Sequence, residues 1–251
     1  MKRWLLALAL CATPAVADED LIRAYVLSNA EHTLWHEAGH ALVSEFGLPV
    51  IGQEEDAVDA FATLMMLSDE SEERLERLLD VAEIWMLSHE RAEADGIAPD
   101  YFDEHDLDAQ RGLRVICFMA GEGPGRAHEL IETWGLPEER AETCEDDYAL
   151  AVDSWDVLLE PFQRADGARE VPIEVRYGPG GAWRDILAES ELLEYVAETL
   201  SYNFSLDPGL VLEAASCGEP NAFWDPQART MTLCYELLAD YEDLAREAIG
   251  Q

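Results

Sequence analysis

Apolar residues in the first part of the chain recur at intervals of three and four, which is the spacing of an amphipathic helix. Residues 21–46 carry such a stripe, and Gly47 and Pro49 follow it as helix-ending residues. A second helix is predicted from about Glu54 to about Leu67. The apolar stripe of a third predicted helix consists of Leu75, Leu78, Leu79, Ala82, Trp85 and Met86. These stripes predict a core built from helices.

The pattern becomes mixed in the second half of the chain. A loop at 96–103 precedes a helix predicted from Leu107 to Met119, and the glycine-rich segment 121–125 ends that helix. The later predicted elements are a strand at Val171–Tyr177, a helix at Ile186–Leu200, and strands at Leu210–Ala214 and Thr230–Tyr235. Helices first and a mixture later are typical of an α+β protein.

The N-terminus has the composition of a signal peptide. Lys2 and Arg3 precede the apolar run Trp4–Ala12, and the small residues Ala15–Ala17 favour cleavage before Asp18. The apolar run is too short for a membrane-spanning helix of about 20 residues, and no later segment is long and apolar enough to be one. The sequence therefore predicts a periplasmic or secreted protein without a membrane span.

After the predicted signal peptide, residues 1–17, we expect a single domain over 18–251. It is mostly helical over 18–165 and mixed over 166–251. The whole chain has 54 acidic and 16 basic residues, a formal net charge of −38. This charge disfavours nucleic acid as a partner and favours a soluble, well-hydrated surface. The oligomeric state has no signature in the sequence.

Four cysteines follow the predicted signal peptide, and an even number in an oxidising compartment predicts two disulfides. They are Cys117, Cys144, Cys217 and Cys234. Three pairings are open, and we favour the nearest-neighbour one, in which the first two cysteines pair with each other and the last two do likewise. A zinc site built from cysteines is disfavoured because no Cys-x-x-Cys pair is present.

The motif His36-Glu37-Ala38-Gly39-His40 carries the candidate chemistry. Residues four apart share one face of a helix, so both imidazoles can bind one metal ion while Glu37 faces a water coordinated to it. Zinc in such a site lowers the pKa of the water towards about 7, and a carboxylate accepts its proton. The motif predicts a zinc-dependent hydrolase with Glu37 as the general base.

The alternative is a helix whose histidines only pack. Two features of the motif argue against it. The flanking residues 33–35 and 41–43 are uncharged, as a buried metal-binding helix requires. Gly39 lies mid-helix, where glycine costs about 1 kcal/mol relative to alanine unless another element approaches closely.

The third zinc ligand is predicted in the second helix. A metzincin would need glycine at position 43 and histidine at position 46, where this chain has Val43 and Phe46. Glu55 and Asp59 instead lie on one helical face and resemble the Glu-x-x-x-Asp pattern of gluzincins. That pattern implies Glu55 as the ligand, with Asp59 hydrogen-bonded to the far nitrogen of a ligand histidine.

Glu54 and Asp56 are the weaker candidates for the third ligand, and all three acidic residues can also stabilise the N-terminus of the helix. His105 is a candidate for stabilising a developing oxyanion, with a capping or ion-paired surface role as the alternative. Arg111 either binds a substrate carboxylate or pairs with Asp108. We interpret His32, His89 and His128 as structural or surface residues.

The sequence resembles a bacterial family catalogued as a domain of unknown function and described as metallopeptidases because of its zinc motif. The segments that carry the resemblance are His36–His40, Gly52–Asp59, Asp103–Cys117, Cys217–Pro226 and Thr232–Glu236. The resemblance implies a zincin-like fold, a zinc ion and a peptide or protein substrate.

Zincins usually place a sheet before the active-site helix, and an extended peptide binds its edge strand. Little chain precedes the helix here, so we predict a permuted zincin whose sheet comes from Val171–Tyr177 and Asn221–Tyr235, with Thr230–Tyr235 bordering the cleft. The sequence thus favours a zinc metallopeptidase. The alternatives are a zinc-binding envelope protein without catalytic activity and a zinc amidase acting on a non-peptide substrate.

Overall fold

Helices fill the first two thirds of the chain, and a small sheet lies between helices in the last third. The computed structural model describes residues 14–68, 71, 73–165 and 167–249. Most of the predicted signal peptide lies outside these residues. The α-helices are α1 (Pro14–Phe46), α2 (Glu54–Leu67), α3 (Glu73–Ala94), α4 (Asp108–Glu122), α5 (Pro124–Trp134), α6 (Glu138–Ala141), α7 (Cys144–Leu159), α8 (Ala182–Ser190), α9 (Leu192–Asn203) and α10 (Tyr235–Ile249). A 3₁₀ turn at Glu160–Phe162 follows α7.

The sheet has four strands among the described residues, in the order β1-β2-β4-β3. The strands are β1 (Glu174–Tyr177), β2 (Val211–Ala215), β3 (Ala222–Asp225) and β4 (Thr230–Cys234). The pairs β1–β2 and β2–β4 are parallel, whereas β3 and β4 form an antiparallel pair. Helix α1 packs against β3, β4 and α10 on one side and against α2 and α3 on another. A helix-rich chain with a small mixed sheet confirms the predicted α+β class.

The first two predicted helices form as expected. α1 ends before Gly47, which has a φ of 60° in the left-handed region that glycine adopts without strain. The next helix, α2, begins at Glu54 and ends at Leu67, as predicted. Its first turn carries Glu54, Glu55 and Asp56, which suit the positive end of a helix dipole. The short segment 47–53 therefore brings α2 back against α1.

Several later elements differ from the sequence-based expectation. The helix predicted over 186–200 is two helices, α8 and α9, because Glu191 lies between them with a φ of 55°. The break lets Leu187 and Leu193 both be fully buried, although they are six residues apart and would not share one face of a straight helix. β3 was not predicted as a separate strand because it has only four residues and lies between turn-forming residues.

The last strand is shorter than predicted. β4 ends at Cys234, and Tyr235 begins α10. β4 packs beside α1 but lies inside the sheet, between β2 and β3. The edge strand on this side is therefore β3, not the predicted 230–235 segment. That residues 230–235 border a substrate cleft stays a prediction.

Two disulfides are present among the described residues. Cys117 of α4 pairs with Cys144 of α7, and Cys217 pairs with Cys234 of β4. These are the nearest-neighbour pairs that the sequence favoured. Of the helices that the structure describes, none has a stretch apolar and long enough to cross a membrane. Both findings are compatible with an extracytoplasmic protein.

Candidate metal centre

Three side chains from α1 and α2 converge at the middle of the helical layer. The His36 Nε2 and His40 Nε2 atoms are 3.2 Å apart. The Glu55 Oε2 atom lies 3.1 Å from His36 Nε2 and 3.3 Å from His40 Nε2. These three atoms therefore form a nearly equilateral triangle. Histidine nitrogen and carboxylate oxygen are both common zinc ligands.

The size of this triangle fits a zinc ion. Zinc binds histidine nitrogen and carboxylate oxygen at about 2.0–2.2 Å, so in a tetrahedral site the ligand atoms lie roughly 3.3–3.6 Å from one another. The observed separations of 3.1–3.3 Å need only a small outward movement to match that spacing. The three side chains could therefore hold one ion of this size.

Each histidine of the triangle has a carboxylate partner on its other ring nitrogen. His36 Nδ1 lies 2.8 Å from Asp59 Oδ1, and His40 Nδ1 lies 2.8 Å from Glu54 Oε1. A hydrogen bond from Nδ1–H to a carboxylate leaves the Nε2 lone pair free to bind metal. Asp59 thus lies beside the far nitrogen of His36, and its support of a metal ligand stays a prediction. The contact from Glu54 to His40 was not predicted, because spacing along α2 does not show which residues of α1 lie opposite it.

The charges around the triangle favour a cation at its centre. With both Nδ1 atoms donating, two nitrogen lone pairs and the Glu55 carboxylate would face one another. Burial alone would lower the pKa of His40, but hydrogen bonds to Glu55 and Glu54 raise that pKa to about 9. The carboxylates around the triangle thus favour positive charge on its imidazoles. A bound divalent cation would supply that charge directly.

Glu37 is buried beside the triangle. It follows His36 on α1, and only 6% of its surface is exposed. Its carboxylate has no hydrogen bond or ion pair with any residue that the structure describes. Burial raises the pKa of this carboxyl group above its ordinary value, and the neighbouring histidines oppose that rise. A buried carboxylate without a fixed partner is available to accept a proton.

His105 joins the cluster from the loop before α4. Its Nε2 atom lies 3.0 Å from Glu55 Oε2, and its Nδ1 atom lies 2.9 Å from Asp103 Oδ1. The hydrogen bond to Glu55 raises the pKa of His105 to about 9, burial opposes the rise, and Asp103 adds to it. The group of atoms that can share one ion consists of His36, His40 and Glu55, so His105 lies outside it. The structure places His105 beside the candidate site but does not test its role.

Comparison with known proteins places this site within a family. Residues 9–159 and 180–250 match the model of the DUF4344 family, whose description is "Putative metallopeptidase". The chain belongs to this family. No curated protein and no solved structure matches the chain.

The DUF4344 match includes all the residues of the triangle, since α1 and α2 lie within residues 9–159. The family description implies a metal ion and a peptide or protein substrate. Sequence similarity and side-chain geometry therefore point to the same part of the chain.

Arg111 of this DUF4344 protein pairs with a residue that the sequence did not suggest. Its Nε atom donates to Asp59 Oδ2 at 2.7 Å, and its Nη2 atom donates to Asp59 Oδ1 at 2.7 Å. Asp108, one of the two alternatives considered from the sequence, accepts a hydrogen bond from Ser88. Spacing along α4 could suggest only partners on the same helix, whereas Asp59 lies on α2.

The remaining histidines are not part of the triangle. His32 lies one turn before His36 on α1, but its Nε2 atom is 3.2 Å from Thr63 Oγ1. Burial lowers the pKa of His32 to about 3, so it is neutral and serves the packing of α1 on α2. His89 lies 3.9 Å from Glu93 at the surface. The side chain of His128 is outside the described residues.

Gly39 allows α2 to approach α1 closely enough for the site to form. A Cβ atom at this position would lie 2.8 Å from both Cβ and Cγ1 of Val58, which is closer than such atoms can approach. Val58 adjoins Asp59, the partner of His36. The glycine within the motif is thus required by packing between the two helices that carry the ligands.

Gly39→Ala is expected to lower the free energy of unfolding by about 1–3 kcal/mol, the usual cost of overpacking. It should also weaken zinc binding, because α2 must move away from α1. Chemical denaturation and zinc titration measure the two effects. Gly125→Ala is the control, since its Cβ would meet no described atom within 4 Å. Unchanged stability of Gly39→Ala would contradict the close approach of the helices.

Proposed function

We propose that the protein is a zinc-dependent, gluzincin-like hydrolase that cleaves peptide bonds. His36, His40 and Glu55 would hold the ion, and Glu37 would act as the general base. The observation that supports this proposal best is the triangle of ligand atoms, with each imidazole held by a carboxylate on its far nitrogen. Such an arrangement predisposes both Nε2 atoms to bind metal before the ion arrives.

A bound zinc ion supplies Lewis acidity, which polarises a substrate carbonyl and lowers the pKa of a nearby water. Glu37 accepts the proton of that water as it attacks the carbonyl carbon and then passes the proton to the leaving amine. His105 would stabilise the oxygen that becomes negative with its Nε2–H, which would have to turn from Glu55 to the substrate. Asp59 and Glu54 hold the imidazoles in the tautomer that binds metal.

The geometry favours catalysis over a purely structural zinc site. A structural site normally has four protein ligands, whereas the group found among the described residues has three. His32, the nearest further histidine on α1, is occupied by Thr63. A structural site also has no use for a buried, unpaired carboxylate such as Glu37. The same centre would serve an amidase, so the substrate class rests on the family description.

The proposed setting is the periplasm or the exterior of the cell. The signal-peptide pattern of residues 1–17 and the disulfides Cys117–Cys144 and Cys217–Cys234 support this setting. Disulfides of this kind persist in oxidising compartments. A zinc ion and peptide substrates are both compatible with a periplasmic or extracellular location.

Metal removal and restoration test the proposed function directly. The mature protein is stripped with a chelator, dialysed, and supplied with zinc or, as a control, magnesium. We expect about one zinc ion per chain and cleavage of a mixed peptide library only in the zinc sample, because magnesium prefers an octahedral oxygen site. A library of non-peptide amides assayed in parallel separates a peptidase from an amidase. A protein that binds no zinc would overturn the proposal.

A further inference from the structure

Arg111 is linked to the metal-ligand triangle through Asp59, the partner of His36. It extends from α4 and forms two hydrogen bonds to the carboxylate of Asp59, one to each oxygen. Only 11% of the Arg111 side chain and 9% of the Asp59 side chain are exposed. One face of the guanidinium lies on Trp85 of α3, 3.7 Å from the ring centroid. Arg111 is therefore held both along its hydrogen-bonding edge and on one face.

The two hydrogen bonds determine the plane of the Asp59 carboxylate. Oδ1 is shared between Arg111 Nη2 and His36 Nδ1, while Oδ2 receives Arg111 Nε. A fork of two parallel N–H groups fixes a carboxylate in rotation as well as in position. Because Oδ1 also bonds to His36, the orientation of the imidazole depends on the orientation of this carboxylate. Arg111 can thus affect the orientation of the His36 imidazole through Asp59 without contacting His36 itself.

We propose that Arg111 is a positioning residue of the metal centre, which acts through Asp59 to hold His36 in the orientation that binds zinc. This inference rests on the proposed function, since it assigns a role at the same site. The role excludes both alternatives drawn from the sequence. Arg111 is not a partner of Asp108, and its fork is already occupied by Asp59 rather than free for a substrate carboxylate.

The same helix offers a matched control. Arg114 lies one turn after Arg111 and also joins α4 to α2, through an ion pair of 3.0 Å with Asp56. Arg114 Nη2 also donates a hydrogen bond of 2.6 Å to Asp106 Oδ2. Neither of these carboxylates contacts His36 or His40. If the hydrogen bonds from Arg111 to Asp59 only held α4 against α2, replacing either arginine would have a similar effect on zinc affinity.

The first experiment measures the zinc dissociation constant by competition with a chelator. Loss of a partner of a metal ligand typically weakens metal binding by about 10- to 100-fold. We expect a loss in this range for Arg111→Met and a smaller loss for Arg111→Lys, which keeps the charge but not the fork. Arg114→Met should stay within about twofold of wild type. Circular dichroism checks that each variant is folded.

A double-variant cycle tests the route through Asp59. In the Asp59→Asn background, Arg111→Met should change zinc affinity by less than about threefold, because the carboxylate through which it acts is already gone. Steady-state kinetics provide a further measurement. A positioning residue should lower kcat with little change in KM, whereas an arginine that binds a substrate carboxylate would raise KM.

Three outcomes would overturn the inference. They are equal zinc affinities of Arg111→Lys and wild type, equal losses in Arg111→Met and Arg114→Met, and a full effect of Arg111→Met in the Asp59→Asn background. If Arg111→Met does not fold, Arg111→Lys alone and in the Asp59→Asn background supplies the same comparisons. Wild-type protein that binds no zinc would overturn the proposed function itself, so the two failures are distinguishable.

Discussion

Glu37→Gln is expected to lower kcat for peptide hydrolysis by about 10²- to 10⁴-fold, the usual contribution of a general base. Glutamine has nearly the same shape as glutamate but cannot accept the proton of the attacking water. Glu37 lies outside the ligand triangle, so zinc content should remain near one ion per chain. Loss of activity with retention of metal is the signature that separates a base from a ligand.

Hydrolysis of a fluorogenic peptide and metal analysis of the same samples test this expectation. Asp20→Asn is a suitable control, because it removes one negative charge from an exposed position of the same helix. It should change neither activity nor zinc content. If Glu37→Gln retained more than about a tenth of wild-type kcat, another group would have to serve as the base.

Glu55→Gln has the second large expected effect. We expect it to weaken zinc binding by more than about 100-fold, because residues that only support a ligand already contribute 10- to 100-fold. An amide oxygen carries no net charge and is a poor zinc ligand, so the triangle would lose its negatively charged ligand atom. Hydrolysis should fall with zinc occupancy and recover in part at high zinc concentration.

Glu54→Gln is the control variant that distinguishes a metal ligand from a residue that only supports one. Glu54 adjoins Glu55 and carries the same charge, but its side chain contacts Nδ1 of His40 and is 46% exposed. A change at such a position should weaken zinc binding by no more than about tenfold. Titration with zinc in the presence of a competing chelator measures both variants. A larger loss for Glu54→Gln than for Glu55→Gln would assign the third ligand to Glu54.

Local periodicity was sufficient to predict the centre of the site. His36 and His40 are one helical turn apart, and so are Glu55 and Asp59. Each pair therefore projects from one face of its helix, independently of how the rest of the chain folds. The turn at Gly47 brings the two faces together. For the same reason the bounds of α2 could be predicted from the chain alone.

Contacts between distant elements could not be predicted in this way. Arg111 pairs with Asp59 on another helix rather than with Asp108 on its own, and sequence spacing gives no measure of how α4 packs on α2. The bond between Glu54 and His40 was missed for a related reason. Because the two histidines lie one turn apart, two different acidic residues of α2 contact their Nδ1 atoms, Asp59 at His36 and Glu54 at His40.

The three ligand residues belong to one helical hairpin, α1 and α2, joined by the short segment 47–53. The entropy lost in closing a loop grows with its length, so this hairpin assembles at a lower entropic cost than the docking of β3 and β4 on α1. Metal binding contributes its free energy to whatever structure the ligands have reached. The proposed zinc ion would therefore be able to bind the hairpin while α4 and the sheet are still unassembled, and Arg111 would complete the centre when α4 docks.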